Sequence, residues 1–265
     1  MTGPNPTHKQ TTTAAAREWQ AFWLAVGFLT RIPMLVSIDY SQKLMNQCSV
    51  YFPLVGLLLG ALYVGLFALL ALFCSPLVSI LLVLCFHLFI TGAFHEDGLA
   101  DSVDAFGGGY TVEKRLEIMK DSRIGTYGTV ALVMALLLKV ALLSESSPIW
   151  LALLIAPCVA RLTPLMLMRF MRYVSDPDSS KSKPVADGFS TERLVCASVF
   201  VLLMCGLLTP WAPALILSSA VSIGLVGLLW GRQLKRDLGG YTGDALGASV
   251  IFTELTLLAL LAAWL

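Results

Sequence analysis

Residues His95-Glu96-Asp97-Gly98-Leu99-Ala100-Asp101-Ser102-Val103-Asp104 concentrate acid in a chain where only 13% of residues are charged. Asp97, Asp101 and Asp104 are spaced i, i+4, i+7, so at about 100° per residue they fall on one stripe of a helix. Like charges stacked on neighbouring turns repel, by roughly a few tenths of a kcal/mol per exposed pair. A divalent cation reverses that sign. Carboxylates converging on one helical face, with small residues between them, suit Mg²⁺ or Mn²⁺, which prefer oxygen ligands. A solvated acidic loop beside a membrane has the same composition but does not require the one-faced spacing. His95, beside the acids, is a weaker candidate for ligand or base than the carboxylates.

Two further segments have the residue types for phosphate chemistry. Residues 115–128, Arg-Leu-Glu-Ile-Met-Lys-Asp-Ser-Arg-Ile-Gly-Thr-Tyr-Gly, open as an amphipathic helix and close in a glycine-bounded turn before an apolar run. Lys120 and Arg123 are phosphate-binding types, Asp121 is a candidate metal ligand, and Gly125 and Gly128 let backbone N–H groups approach an anion. A basic helix touching lipid head groups is the competing reading. Residues 239–248, Gly-Gly-Tyr-Thr-Gly-Asp-Ala-Leu-Gly-Ala, are glycine-rich and lead into a helix that Thr242 or Asp244 would cap. That arrangement has the logic of a phosphate cradle without matching a P-loop, and close packing of a membrane helix explains it equally well. Arg161 interrupts an apolar run, where a charge faces a partner or a cavity. It either snorkels to the membrane edge or clamps a diphosphate. His87 reads as a hydrogen-bonded interior residue, and no Ser/His/Asp spacing supports a covalent nucleophile.

The elements that must position these groups are membrane helices. Hydrophobic residues make up 57% of the chain and mean hydropathy is +0.79. Apolar runs of about 18 residues recur, each long enough for a hydrocarbon core of about 30 Å. Spans are expected near 50–74, 76–94, 128–143, 148–168, 194–209, 213–230 and 245–265, with Lys139 and Arg161 as basic interruptions. The stretch from Trp19 to Ile38 contains Arg31 and Pro33 and is expected to form a re-entrant or interfacial hairpin. The fold class is therefore an all-α polytopic membrane protein: a polar tail over 1–18, then a single helical domain over 19–265. A signal peptide is not expected, because the apolar stretch begins too far in and lacks a cleavage site. The six cysteines have no CxxC spacing and read as buried hydrophobes.

Basic residues concentrate in 31–49, 95–127, 169–193 and 231–243, which the positive-inside rule puts on the cytoplasmic side. The acidic cluster, Asp121, Asp176, Asp178, Asp187, Asp237 and Asp244 all fall in those connections or at their edges, so one aqueous face should carry the chemistry. Net charge is +1 and no basic stripe is present, so a nucleic-acid partner is not expected. The lipid bilayer is the expected surrounding, and association between copies stays open.

The segments 95–101, 116–128 and 239–248 resemble the three signature blocks of the cobalamin synthase family, the adenosylcobinamide-GDP ribazoletransferases. Phe28-Leu29-Thr30-Arg31-Ile32-Pro33 and Tyr51-Phe52-Pro53-Leu54-Val55-Gly56 are similar to that family's N-terminal segments, so the likeness runs from about Phe22 to the C-terminus. Ala105 stands where a glycine is expected after Asp104. The resemblance implies a Mg²⁺-dependent enzyme of the bacterial inner membrane that joins adenosylcobinamide-GDP to α-ribazole, or to α-ribazole 5′-phosphate, and releases GMP. Attack of a ribose hydroxyl on a diphosphate calls for charge neutralisation and a proton acceptor. Asp97, Asp101 and Asp104 are then the metal ligands, and Glu96 and Asp121 the candidates for accepting the proton or supporting the metal. Lys120, Arg123 and Arg161 would contact the diphosphate, with Gly125, Gly243 and Asp244 at the substrate.

Three other readings compete, of which a purely structural membrane scaffold explains none of the three blocks. A CDP-alcohol phosphatidyltransferase also displaces a nucleoside monophosphate with clustered aspartates, but its Asp-Gly-x-x-Ala-Arg start fails here because Asp101 follows Ala100. A secondary transporter would hold its acids near the bilayer midplane, often within repeated halves. The acids here sit at one edge, and no repeat is visible.

Overall fold

The computed structural model describes residues 13–38, 40–174 and 189–264. Asp176, Asp178 and Asp187, with most of the polar tail, lie outside the described residues. In chain order the helices are α1 (Ala14–Leu29), α2 (Gln42–Cys48), α3 (Phe52–Leu70), α4 (Pro76–Thr91), α5 (Phe94–Gly108), α6 (Val112–Lys120) and α7 (Thr126–Glu145). They continue with α8 (Ile149–Ala160), α9 (Leu162–Phe170), α10 (Thr191–Leu208), α11 (Leu215–Asp237) and α12 (Gly243–Trp264). Local sequence sets most of the starts. Ser41, Thr111 and Ser190 accept backbone N–H groups as N-caps of α2, α6 and α10, and prolines stand in the first turns of α3 and α4.

Among the described residues, six helical stretches are long and apolar enough to cross a membrane. They correspond to six of the seven expected spans, and the remaining one, 76–94, is α4. That helix runs into α5 through an 85° bend. Gly92 makes the bend with a φ of 69°, in the left-handed region that costs glycine no side-chain clash, and Ala93 follows at 55°. The polar α5 therefore leaves the line of α4.

The expected span 148–168 is two helices, α8 and α9, broken at Arg161. Together they form the central element, with 89% of the apolar stretch buried. Around it stand α3, α7, α10, α11 and α12. Gly56 and Gly60 lay α3 directly on the α8 backbone, since a Cβ at either would fall 2.2 Å from a carbonyl oxygen of Pro157 or Leu154. Large apolar side chains such as Leu58, Leu62, Leu137, Leu203 and Leu229 point outward, as lipid-facing positions do. Lys139, which interrupts α7, is buried and paired with Glu254 of α12 at 2.9 Å, so the charge is answered within the bundle.

Two expectations need correction. The 19–38 hairpin is instead one helix, α1, which begins within the segment assigned to the tail and is followed by non-helical chain from Thr30. All six cysteines are free, but Cys85 and Cys196 are exposed on α4 and α10, whereas Cys48, Cys158 and Cys205 are buried.

Candidate active site

The three polar blocks fold together. The first is α5, the second forms α6 and the start of α7, and the third leads into α12; α5 packs against α6, α7 and α12. Block three is pinned from outside as well. Tyr241 donates its backbone N–H to Arg172 O at 3.0 Å, Val174 donates to Tyr241 O at 2.8 Å, and Arg172 Nε donates to Gly239 O. The Thr242 hydroxyl then accepts the Ala245 N–H at 3.2 Å, capping the first turn of α12.

The helices α5 and α12 cross at glycine. A Cβ on Gly98 would stand 2.7 Å from the Asp244 carbonyl oxygen, and one on Gly247 would stand 3.5 Å from Gly98 Cα. This close approach brings Asp244 among the acids of α5: Asp101 feels the charges of Asp97, Asp244 and Asp104, and Asp244 that of Asp97. Asp97 is exposed, and Asp101 and Asp244 are half-buried. None of these three makes an ion pair with a described residue. As they stand, no group of three or more His, Cys, Asp or Glu side chains among the described residues is gathered tightly enough to hold a metal ion. What the crossing creates is an uncompensated negative patch of hard oxygen donors, the donor chemistry that Mg²⁺ takes.

Asp104 has another task. Its carboxylate accepts the backbone N–H of Gly125 at 2.6 Å and of Gly128 at 2.9 Å, and so caps α7. Gly125 was expected to offer that N–H to a substrate anion, but the acid has taken it. Glu96 faces the interior rather than the patch. It is buried, accepting from His87 Nε2 at 3.0 Å, while His87 Nδ1 meets the Tyr63 hydroxyl at 2.7 Å. His87 is thus the hydrogen-bonded interior residue the sequence predicts.

The basic candidates divide by depth. Lys120 ends α6 and is exposed. Arg123 is exposed and forked onto Asp121, with Nη2 to Oδ2 at 2.6 Å. That guanidinium holds the Asp121 carboxyl down at about 2, so Asp121 is a poor proton acceptor near neutral pH. Arg161 does not snorkel to the membrane edge. It is 2% exposed at the α8–α9 break, where Nη1 donates to Pro157 O at 2.8 Å and Nε and Nη2 have no hydrogen-bond partner. It lines a cavity of about 30 Å³ with Phe28, Phe52, Phe94, His95 and Gly243. Sequence reasoning missed the Tyr63–His87–Glu96 chain and the pinning of block three by Arg172. The available signal was that His87 and Glu96 flank a glycine break.

A model of the family described as cobalamin-5-phosphate synthase matches residues 21–262. An adenosylcobinamide-GDP ribazoletransferase from Shewanella halifaxensis is 43% identical over 253 residues, covering 92% of this chain and 95% of the relative. One from Vibrio cholerae is 44% identical over 258 residues, covering 93% and 94%. No solved structure matches the chain.

Proposed function

The chain belongs to the cobalamin-5-phosphate synthase family, and on that footing we propose that it is a membrane-embedded transferase joining adenosylcobinamide-GDP to α-ribazole or α-ribazole 5′-phosphate. The observation that carries this reading is the folding of all three polar blocks around the α5–α12 crossing. A ribose hydroxyl oxygen of the acceptor attacks the corrinoid-side phosphorus of the diphosphate. A new P–O bond forms, the P–O bond to GMP breaks, and the hydroxyl proton passes to an acidic side chain of the same patch. Asp97, Asp101 and Asp244 supply the oxygen donors and would have to draw together to hold Mg²⁺, which would supply neutralising charge to the diphosphate and to the departing GMP. Asp104 keeps blocks one and two together. Lys120 and Arg123 meet the diphosphate at the rim, and Arg161 adds a fixed positive charge one layer deeper.

The seat of the reaction is the cytoplasmic face of a bacterial inner membrane, in keeping with the basic residues around the acids and the bacterial relatives. The test is GMP release from adenosylcobinamide-GDP in proteoliposomes, with and without each acceptor. Acceptor-dependent release of GMP together with the joined corrinoid is expected. Release of CMP from a CDP-alcohol, with no GMP from the corrinoid, would overturn the reading in favour of a phosphatidyltransferase.

A further inference from the structure

We infer that Tyr63, His87 and Glu96 form a positioning relay that sets the rotation of α5 and thereby aims Asp97 and Asp101 out of the bundle. The inference rests on the transferase reading for its consequence but on geometry for its substance. The helix α5 begins without a side-chain cap, directly after the 85° bend, with Ala93 in the left-handed region at its N-cap. Its first turn is held locally only by the Asp97 N–H bond to Ala93 O at 2.9 Å and by ring contact between Phe94 and His95. Farther along, Gly98 lies on α12 and Asp104 is bound to the start of α7. At the first turn Phe94 meets Phe28 and His95 packs on Gly247 of α12, and the polar contact comes from across the bend. His87 of α4 donates Nε2–H to Glu96 Oε1 at 3.0 Å, and its Nδ1 accepts the hydroxyl of Tyr63 from α3 at 2.7 Å. The tautomer follows from the network, because an ionised carboxylate only accepts.

Successive helical residues differ by about 100°, so holding Glu96 inward forces Asp97 onto the exposed side, and Asp101, one turn later, goes with it. Glu96 is 3% exposed, His87 is 4% and Tyr63 is 4%, so the relay lies behind the acidic patch. Glu96 acts through Asp97 and Asp101 rather than touching substrate.

The test compares Glu96→Ala, Glu96→Gln and His87→Gln in the full chain reconstituted in liposomes. Glutamine at 96 keeps the accepting oxygen, and glutamine at 87 keeps an N–H donor. One measurement is turnover. The other, independent of turnover, is the rate at which a cysteine introduced by Asp101→Cys reacts with a methanethiosulfonate reagent. Glu96→Ala should lower kcat by about tenfold or more while KM for the GDP-linked substrate stays within about twofold. It should also shift the labelling rate by about fivefold, as the exposure of position 101 changes. Glu96→Gln should restore both, and His87→Gln should disturb both less than Glu96→Ala does. An unchanged labelling rate in Glu96→Ala overturns the relay whatever the activity. A Glu96→Gln variant as inactive as Glu96→Ala, with normal labelling and a lost acidic limb in its pH profile, would make Glu96 the general base. A labelling shift restored by Gln in a chain that releases no GMP would support the relay and count against the proposed reaction alone. If Glu96→Ala fails to fold, His87→Ala, which removes the donor to Glu96, carries the same labelling comparison, and wild-type labelling there overturns the relay.

Discussion

Asp104 accepts the backbone N–H of Gly125 at 2.6 Å, so an acid of the first polar block satisfies the N-terminus of α7, whose N-cap residue is Gly125 itself. Gly128 donates to the other carboxylate oxygen at 2.9 Å. The i, i+4, i+7 stripe therefore divides between two tasks. Asp97 and Asp101 share the field of Asp244, whereas Asp104 spends its hydrogen-bonding capacity on two of the orphan donors of α7.

Removing that cap should cost stability first. Asp104→Ala leaves both N–H groups without their acceptor, and loss of an N-cap costs typically about 1 kcal/mol. Gly128→Ala should be worse, since its Cβ would stand 2.3 Å from the Asp104 carboxylate and 2.7 Å from the Ala100 carbonyl oxygen, and backbone cannot swing aside. Both variants should unfold at lower temperature in detergent. A wild-type melting temperature for Gly128→Ala would contradict this packing.

Asp97→Asn, Asp101→Asn and Asp244→Asn should show the opposite pattern. Each removes a like charge from an uncompensated patch, so thermal stability should hold or rise while turnover falls by more than about tenfold, at least 1.4 kcal/mol of transition-state stabilisation on the order of one decade. Added Mg²⁺ should raise the melting temperature of the wild type more than that of Asp101→Asn, because a ligand that binds only the folded state stabilises it. Equal shifts in the two proteins would remove Asp101 from the metal site.

Asp121 should contribute nothing to the pH profile near neutrality. Its carboxyl ordinarily titrates at 3.8, and the Arg123 fork lowers it to about 2. The sign follows from linkage: the pairing is fully present above the ordinary value and is lost only as pH falls through about 2. Asp121→Asn should therefore keep any acidic limb that the wild type shows in kcat/KM between about pH 5 and 9. Disappearance of the limb would identify Asp121 as the proton acceptor after all.

Topology offers an independent check. Tyr110 is 90% exposed in the connection between α5 and α6, and Arg236 is exposed near the end of α11, beside the third block. Cysteines introduced by Tyr110→Cys and Arg236→Cys should react with an impermeant maleimide only when the cytoplasmic side is opened. Labelling of either in intact spheroplasts would separate the blocks across the membrane.

Several features of this protein are properties of its local sequence. Long apolar runs locate the spans, because crossing hydrocarbon requires about 20 consecutive apolar residues with every backbone group bonded within the helix. The stripe of Asp97, Asp101 and Asp104 follows from helical period, and the starts of α2, α6 and α10 follow from Ser and Thr caps. The partners of those side chains come from far along the chain. Asp244 joins the acids because Gly98 lets α12 approach α5, and Asp104, though still felt by Asp101, is tied to the start of α7, which needs an acceptor. Glu96 turns inward because a bend at Gly92 brings His87 over it, and Arg161 stays buried because α8 and α9 break at the centre of the bundle. Periodicity reports which face a residue occupies on its own helix. Which helix meets that face is decided by contacts between segments distant in sequence, and so only the tertiary structure assigns each charge its partner.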